Sequence, residues 1–111
     1  MTLQNIKSIL SGITGFADKV AYRAFNVGAA PDLPFICYRC IETNNFKSDS
    51  KVYKVIQEIA IELYTDEKDP ETESLVEEAL NNAGLTWDKD ETYIDSENCY
   101  MITYGVSFIY E

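Results

Sequence analysis

The sequence predicts an α+β fold in which two helices cover one face of a largely antiparallel sheet of about five strands. Three observations support this fold class. Several stretches carry apolar residues at every second position, as strands with one buried face do. Two other stretches have helical spacing. The strand-like stretches are joined by short turns, which is typical of antiparallel pairing. The predicted order along the chain is α-β-β-β-α-β-β.

The first predicted element is a short amphipathic helix, followed by a short strand and a loop. The apolar residues with helical spacing are Ile6, Ile9, Leu10 and Ile13. We expect Gly12 and Gly15 to end this helix, and its apolar stripe to cover a face of the sheet. Residues 20–25 are predicted to form the first strand. Pro31 and Pro34 then interrupt regular hydrogen bonding and indicate a loop.

The next segments predict a strand, a polar tip and the longest strand of the sheet. The two strands are expected at residues 35–42 and 52–64. Residues 43–51 are polar and predict a loop or an extended hairpin tip. The residues of the long strand expected to share one face are Val55, Ile59, Ile61 and Leu63. Glu58 and Glu62 fall on the other face, where we expect them to be exposed to solvent.

A sharply capped helix is predicted next. Asp69 is placed to cap its free amides, and Pro70 suits its first position. Glu71 and Glu73 lie near the positive end of the helix dipole, which favours carboxylates. We expect Gly84 to end the helix. The residues predicted to form its buried stripe are Val76, Ala79, Leu80 and Ala83.

Two further strands, predicted at residues 85–94 and 100–110, complete the fold. In the last strand, the larger alternating residues are Tyr100, Ile102, Tyr104, Val106, Phe108 and Tyr110. Thr103, Gly105 and Ser107 take the opposite face. One face of the sheet is therefore predicted to form the core, and the other is left to solvent or to a docked partner.

Size and charge indicate one acidic globular domain over residues 1–111. The net charge is −10, but residues 1–57 carry +3 and residues 58–111 carry −13. A strongly acidic half does not favour specific nucleic-acid binding, which requires cations against phosphates. The uneven charge is compatible with a solvated acidic face, or with complementary ends that associate head to tail.

Nothing in the sequence predicts a catalytic centre, a cofactor or a metal site. The chain has no His and no Gly-rich phosphate loop, so histidine-based triads are excluded within one chain. Cys37 and Cys40 have a C-x-x-C spacing, but on a strand they should point to opposite faces and share neither a metal nor a disulfide. The acidic stretch from Asp88 resembles the start of a calcium loop. However, Tyr93 occupies the required Gly position and Cys99 the required Glu position.

The candidate functional residues lie on a polar loop and a neighbouring strand. Asn44, Asn45, Phe46 and Lys47 form a loop whose polar residues have no evident structural need. Phe46 is an aromatic residue in that loop, so it either packs back onto the domain or anchors a neighbouring chain. Arg39 lies on the predicted strand and is either an exposed sheet residue or an interface contact. These five residues are predicted to contact another subunit or a partner protein.

Four segments carry a resemblance to a known family. They are Leu-Pro-Phe-Ile at 33–36, Glu-Thr-Asn-Asn-Phe at 42–46, Ile-Glu-Leu-Tyr-Thr-Asp-Glu-Lys-Asp-Pro at 61–70 and Glu-Thr-Tyr-Ile at 91–94. With them, the chain resembles the tail-completion proteins of long-tailed bacteriophages and prophages, also called tail terminators or head–tail joining proteins. The similarity extends over roughly residues 20–110 and includes the length and element order.

The resemblance implies a non-enzymatic structural protein. Members of the family form rings, typically hexamers, that cap the tail tube and join it to the head. The expected partners are therefore further copies of the chain, the tail tube protein and a head–tail connector protein. The expected location is the head–tail junction of the virion, with assembly in the host cytoplasm. The resemblance implies no catalytic residue and no cofactor.

Two other functions remain open from the sequence. One is a different head–tail connector component, an adaptor or a stopper, which would bind the portal complex rather than the tail tube. The other is an acidic regulator or inhibitor that binds a basic host protein as a stable monomer. The sequence contains no apolar run long enough to cross a membrane and no secretion signal, so we expect a cytoplasmic origin and no membrane partner.

Overall fold

The computed structural model of the chain describes residues 1–48 and 51–110; at residues 46–48, 52 and 53 only the backbone is described. The helices are α1 (Leu3–Ser11) and α2 (Pro70–Asn82). The strands are β1 (Val20–Tyr22), β2 (Phe35–Thr43), β3 (Phe46–Ser48), β4 (Lys51–Lys54), β5 (Ile56–Thr65), β6 (Trp87–Ile94) and β7 (Cys99–Ile109).

Five of the strands form one sheet, in the order β1-β2-β5-β7-β6. Its pairs are antiparallel except for β1 and β2, which run parallel. The sheet and the two helices confirm the predicted α+β class and element order. β3 and β4 form a separate two-stranded sheet. The predicted single strand over residues 52–64 is therefore wrong, because the chain changes sheets at Val55.

The helices and one face of the sheet enclose the hydrophobic core. Ile59, Ile61 and Leu63 of β5 are completely buried, as their alternation predicted. The buried residues that join them from α1, α2 and β7 are Ile6, Leu10, Val76, Leu80, Ile102, Tyr104, Val106 and Phe108. Val55, which was assigned to the same face, instead lies between β4 and β5 and is 38% exposed. Both helices thus pack on one face of the sheet, as predicted.

Local signals in the sequence account for the helix ends. The Asp69 carboxylate accepts a hydrogen bond from the Thr72 amide at 3.1 Å, which confirms the predicted N-cap of α2. Gly84 follows the last turn with φ of 76°, a conformation in which glycine is least strained. α1 ends at Gly12 as expected. Neither helix is long and apolar enough to cross a membrane within the described residues.

The first strand is shorter than predicted. β1 ends at Tyr22, whereas residues 20–25 were expected to be extended. The backbone of Arg23 has φ of 66°, which lies in the left-handed region and interrupts the strand. Arg23 therefore lies beyond a strand end rather than on a strand.

The face of the sheet opposite the helices is here called the open face. Strand register places Cys37, Arg39, Ala60, Glu62 and Thr103 on it, because their neighbours along each strand face the core. Glu62 was expected to be exposed, and this is wrong: it retains only 8% of its accessible surface. Arg39 Nε lies 3.4 Å from Glu62 Oε2, and the Tyr64 hydroxyl donates to Glu62 Oε1 at 3.3 Å. These two neighbours cover the carboxylate.

Candidate functional site

The most prominent feature outside the core is a hairpin whose described residues are 44–48 and 51–55; it is here called the arm. β2 and β5 continue past the end of the main sheet into β3 and β4. β3 and β4 pair with each other and make little other contact with the described elements. Four of the five predicted site residues, Asn44, Asn45, Phe46 and Lys47, lie in this arm. A loop or an extended hairpin tip was expected for residues 43–51, and the described residues of this range, 43–48 and 51, pair as part of an extended hairpin.

Two asparagines hold the base of the arm. The Asn44 amide donates to the Ile56 carbonyl at 2.8 Å. The Ile56 amide donates in turn to Asn45 Oδ1 at 3.3 Å. The interpretation that the polar residues of this loop lack a structural need is therefore wrong for the side chain of Asn45, which helps to close the hairpin where it leaves the sheet. The Asn44 contact is made by its backbone, which any residue except proline supplies. No local signal in the sequence indicated the Asn45 contact, because its partner lies 11 residues away.

Two register irregularities occur, one in the main sheet just before the arm and one within the arm. The register between β2 and β5 shifts between Cys40 and Glu42, and the register between β3 and β4 shifts between Phe46 and Lys47. Such bulges bend a strand and re-aim its continuation. The radius of gyration is 14.9 Å, against about 13 Å for a compact domain of this length. The shape is that of a core with a segment extending from it.

The five predicted site residues do not form one cluster. Arg39 lies on the main sheet, across from Ala60 on β5, with its side chain 44% exposed. Its described partner is Glu62, and no described hydrogen bond links it to the asparagines. Phe46 and Lys47 belong to β3, and their side-chain contacts lie outside the described part of the structure. The interface roles of all five residues remain predictions.

A cleft crosses the open face near the base of the arm. It encloses about 330 Å³. Gly105 and Ser107 of β7 line it with small side chains, while Glu58 and Asp88 line it from the strands on either side. Ile41, at the bulge, borders it with a side chain that is 52% exposed. This cleft, here called the open-face cleft, was not predicted, because it forms only when four strands assemble.

The cysteines have the orientation that the sequence predicted. Cys37 lies on the open face opposite Glu62, whereas Cys40 lies opposite Ile59 and packs against the core. The two thiols thus lie on opposite faces of β2. Burial, with a smaller contribution from the Glu62 carboxylate, raises the pKa of the Cys37 thiol to about 11. A thiol that stays protonated at neutral pH is a poor nucleophile and a poor metal ligand.

The acidic residues of the second half include an ion-pair cluster around one buried carboxylate. Glu73 of α2, with 4% of its side chain exposed, receives bonds from Lys68 Nζ at 2.6 Å and Lys89 Nζ at 3.1 Å. Lys68 also binds Glu91, and Lys89 also binds Glu77. The cluster joins α2 to β6 and to the segment after β5. Its geometry is that of a structural ion-pair network, in which every described charge has a partner.

Burial and the lysines act in opposite directions on Glu73. Burial alone would raise the pKa of its carboxyl, but the hydrogen bonds from Lys68 and Lys89 outweigh burial and hold that pKa below its ordinary value. The same contacts, with Glu91 and Glu77, raise the pKa of both lysines. All three groups are therefore charged at neutral pH.

Among the described residues, no group of three or more Cys, Asp or Glu side chains is placed to hold a metal ion. The stretch that resembles the start of a calcium loop lies within β6, where successive side chains alternate between faces. No protein-family model matches the sequence, and no curated protein matches it.

Proposed function

We propose that this protein is a non-enzymatic tail-completion component of a long-tailed phage or prophage. In this proposal several copies, expected to be six, form a ring that caps the tail tube and joins the tail to the head. The ring would contact the tail tube protein on one side and a head–tail connector protein on the other. Its location would be the head–tail junction of the virion.

The observation that carries the proposal is the arm. It begins in the segment of residues 42–46 that resembles the family, and it extends beyond the core. A two-stranded ribbon is only marginally stable alone, and a hairpin with little contact to its own core is suited to contact another chain. Asn44 and Asn45 fix its base, so the arm has a defined direction rather than that of a loose loop.

The other segments of the resemblance lie at structural junctions, which agrees with a family defined by shape rather than catalysis. Residues 61–70 span the end of β5 and the start of α2. Lys68 there bonds to Glu73 and Glu91, and Asp69 caps α2. These contacts fix the connection between the sheet and the helix layer.

The charge distribution is compatible with the proposed position. A ring at the head–tail junction must let DNA pass without binding it, and acidic walls repel phosphates. A closed ring also requires two different surfaces that recognise each other on successive copies. The contrast between +3 in residues 1–57 and −13 in residues 58–111 supplies such a difference.

The proposal is tested by complementation. A phage lacking this protein is supplied with the parent chain or with a chain carrying Phe46→Ser and Lys47→Glu, and virions are scored by infectivity and electron microscopy. We expect the deletion to leave heads and tails unjoined, or tails of uncontrolled length. The double variant should fold but fail to rescue, because a buried aromatic anchor can contribute about 2 kcal/mol or more to an interface.

Each outcome of this experiment tests a different part of the proposal. Normal virions without the protein would refute the tail-completion function. Normal virions with the double variant would refute the role of the arm's first strand. Capture of the portal complex instead of tail tubes by the isolated chain would favour an adaptor or stopper.

One observation favours a second candidate function. Exposed carboxylates are concentrated on α2 and β6, where they include Glu71, Glu78, Asp88 and Asp90. An acidic regulator that binds a basic host protein would use such a surface. A stable monomer that binds a basic partner, with affinity falling steeply as salt is added, would support this alternative.

A further inference from the structure

The described lysine and arginine side chains of this chain differ in whether they form ion pairs. Lys68 and Lys89 are held in the Glu73 cluster, and Arg39 is paired with Glu62. Lys51 and Lys54 of the arm are exposed and, like Lys7, Lys19 and Arg23, form no ion pair with any described residue. The sequence adds Lys47 to the same segment, against a single carboxylate at Asp49. The arm is therefore a basic projection on an acidic protein.

The open-face cleft has the opposite character. Its acidic side chains come from three strands, and no Lys or Arg is among its described lining residues. Glu42 and Glu58 are direct cross-strand partners in the β2–β5 register. Like charges placed directly opposite each other destabilise a sheet. A cation from outside the chain would relieve this repulsion.

The cleft also has the shape and apolar surface that a lysine side chain requires. Gly105 and Ser107 leave room, since a Cβ added at Gly105 would have its nearest neighbour, the Asp88 carbonyl oxygen, 4.0 Å away. Ile41 offers exposed apolar surface for an aliphatic stem. Lysine buries such a stem against apolar groups while its ammonium group meets carboxylates.

We propose that the arm of one copy docks on the open face of a second copy, with its lysines against the carboxylates of the open-face cleft. The inference rests on the proposed function and names the surface that receives the arm in the ring. Lys51 is poorly placed for its own cleft, because it pairs with Ser48 at the far end of the hairpin while the cleft lies near the base.

This contact is heterologous, because the donor surface and the receiving surface are different parts of the chain. Such contacts propagate from copy to copy and end only when a ring closes. Each copy would then have its arm in one neighbour and its cleft filled by the other. A face-to-face contact between two open faces would instead stop at a dimer.

The first test measures self-association of the full chain by sedimentation velocity and native mass spectrometry at low ionic strength, up to millimolar concentration. The arm variant carries Lys51→Gln and Lys54→Gln; the cleft variant carries Glu58→Gln and Asp88→Asn. We expect each variant to raise the dissociation constant of self-association by at least about tenfold, which is weaker binding. The matched controls, Lys7→Gln on α1 and Glu78→Gln on α2, should behave as the parent. Thermal melts monitor folding, and Glu58→Gln should melt no lower than the parent because it removes a like-charge pair.

The second test mixes the two variants. The arm variant retains an intact cleft, and the cleft variant retains an intact arm, so one functional contact forms between them. We expect a one-to-one heterodimer that does not grow, whereas the parent forms larger oligomers under the same conditions. The expected response to added salt is a further loss of affinity, since the contact is between charges.

Several results would overturn the docking proposal. These are a parent that stays monomeric throughout, variants that associate as the parent does, or a mixture of variants that forms no heterodimer. None of these results bears on complementation by the parent chain, so the docking surface and the tail-completion function can fail separately. Conversely, normal virions without the protein would refute the function and leave the solution contact intact.

Discussion

Replacing Glu73 by glutamine should destabilise the fold by removing the buried central charge of the ion-pair cluster. The Glu73 side chain is 4% exposed and lies 2.6 Å from Lys68 Nζ and 3.1 Å from Lys89 Nζ. Glutamine has the same shape but no charge, and it presents an amide group to at least one ammonium group. The substitution therefore tests the ion pairs with little change in packing.

The expected magnitude follows from what remains after the substitution. Removing one member of a buried pair costs about 3–5 kcal/mol when the other charge is left without a partner. Here Lys68 keeps Glu91 at 2.6 Å and Lys89 keeps Glu77 at 2.8 Å, and both lysines are partly exposed. We therefore expect a loss of about 2 kcal/mol in the free energy of unfolding. For a domain of this size, that loss lowers the melting temperature by about 8 °C.

The pH dependence separates charge from packing. The folded-state pKa of Glu73 lies below its ordinary value of 4.5. Its contribution is therefore complete above pH 4.5 and is lost as the pH falls through the lower folded-state pKa. Urea denaturation at pH 7 should show the full difference between parent and Glu73→Gln, and the difference should shrink on acidification.

Glu71→Gln is the matched control, because Glu71 lies exposed in the same first turn of α2 and has no partner in the described cluster. It should change stability by less than about 0.5 kcal/mol. A Glu73→Gln protein as stable as the parent at pH 7, or a difference that persists unchanged at low pH, would refute the electrostatic reasoning.

Three further predictions concern the cap, the cysteines and the arm. Asp69→Ala should lower stability by about 1 kcal/mol in thermal melts through loss of the cap to Thr72, and an unchanged melt would contradict that role. Intact mass of the native protein should show neither bound zinc nor the two-dalton loss of a disulfide between Cys37 and Cys40, because β2 places them on opposite faces. The chain with Phe46→Ser and Lys47→Glu should have a free energy of unfolding within about 0.5 kcal/mol of the parent value. Marked unfolding of this variant would show that the arm stabilises its own core.

The features that the sequence predicted correctly depend on neighbouring residues, through strand alternation and helix capping. The apolar residues alternate from Ile59 to Leu63 in β5 and from Ile102 to Phe108 in β7, so the core faces of these stretches were predicted correctly. Asp69, Pro70 and Gly84 bound α2 through capping preferences that depend on adjacent residues only. These elements required no knowledge of the tertiary arrangement.

The features that were missed depend on contacts between distant segments. β-Favouring residues continue from β4 into β5, so composition gave no clear sign that the chain changes sheets at Val55. The burial of Glu62 needs Arg39 from another strand, and that of Glu73 needs Lys89, 16 residues away. The open-face cleft needs four strands in register. Pairwise partners of this kind are not encoded in the periodicity of one segment.

The measurement that tests the central claim most directly is a reconstruction of the head–tail junction by cryo-electron microscopy, using virions of the phage or prophage that encodes this chain. The proposed function predicts a closed ring of this protein between the end of the tail tube and the head, with each arm reaching the next copy. Virions whose junction contains no density for this chain, or that assemble normally when it is deleted, would contradict the claim.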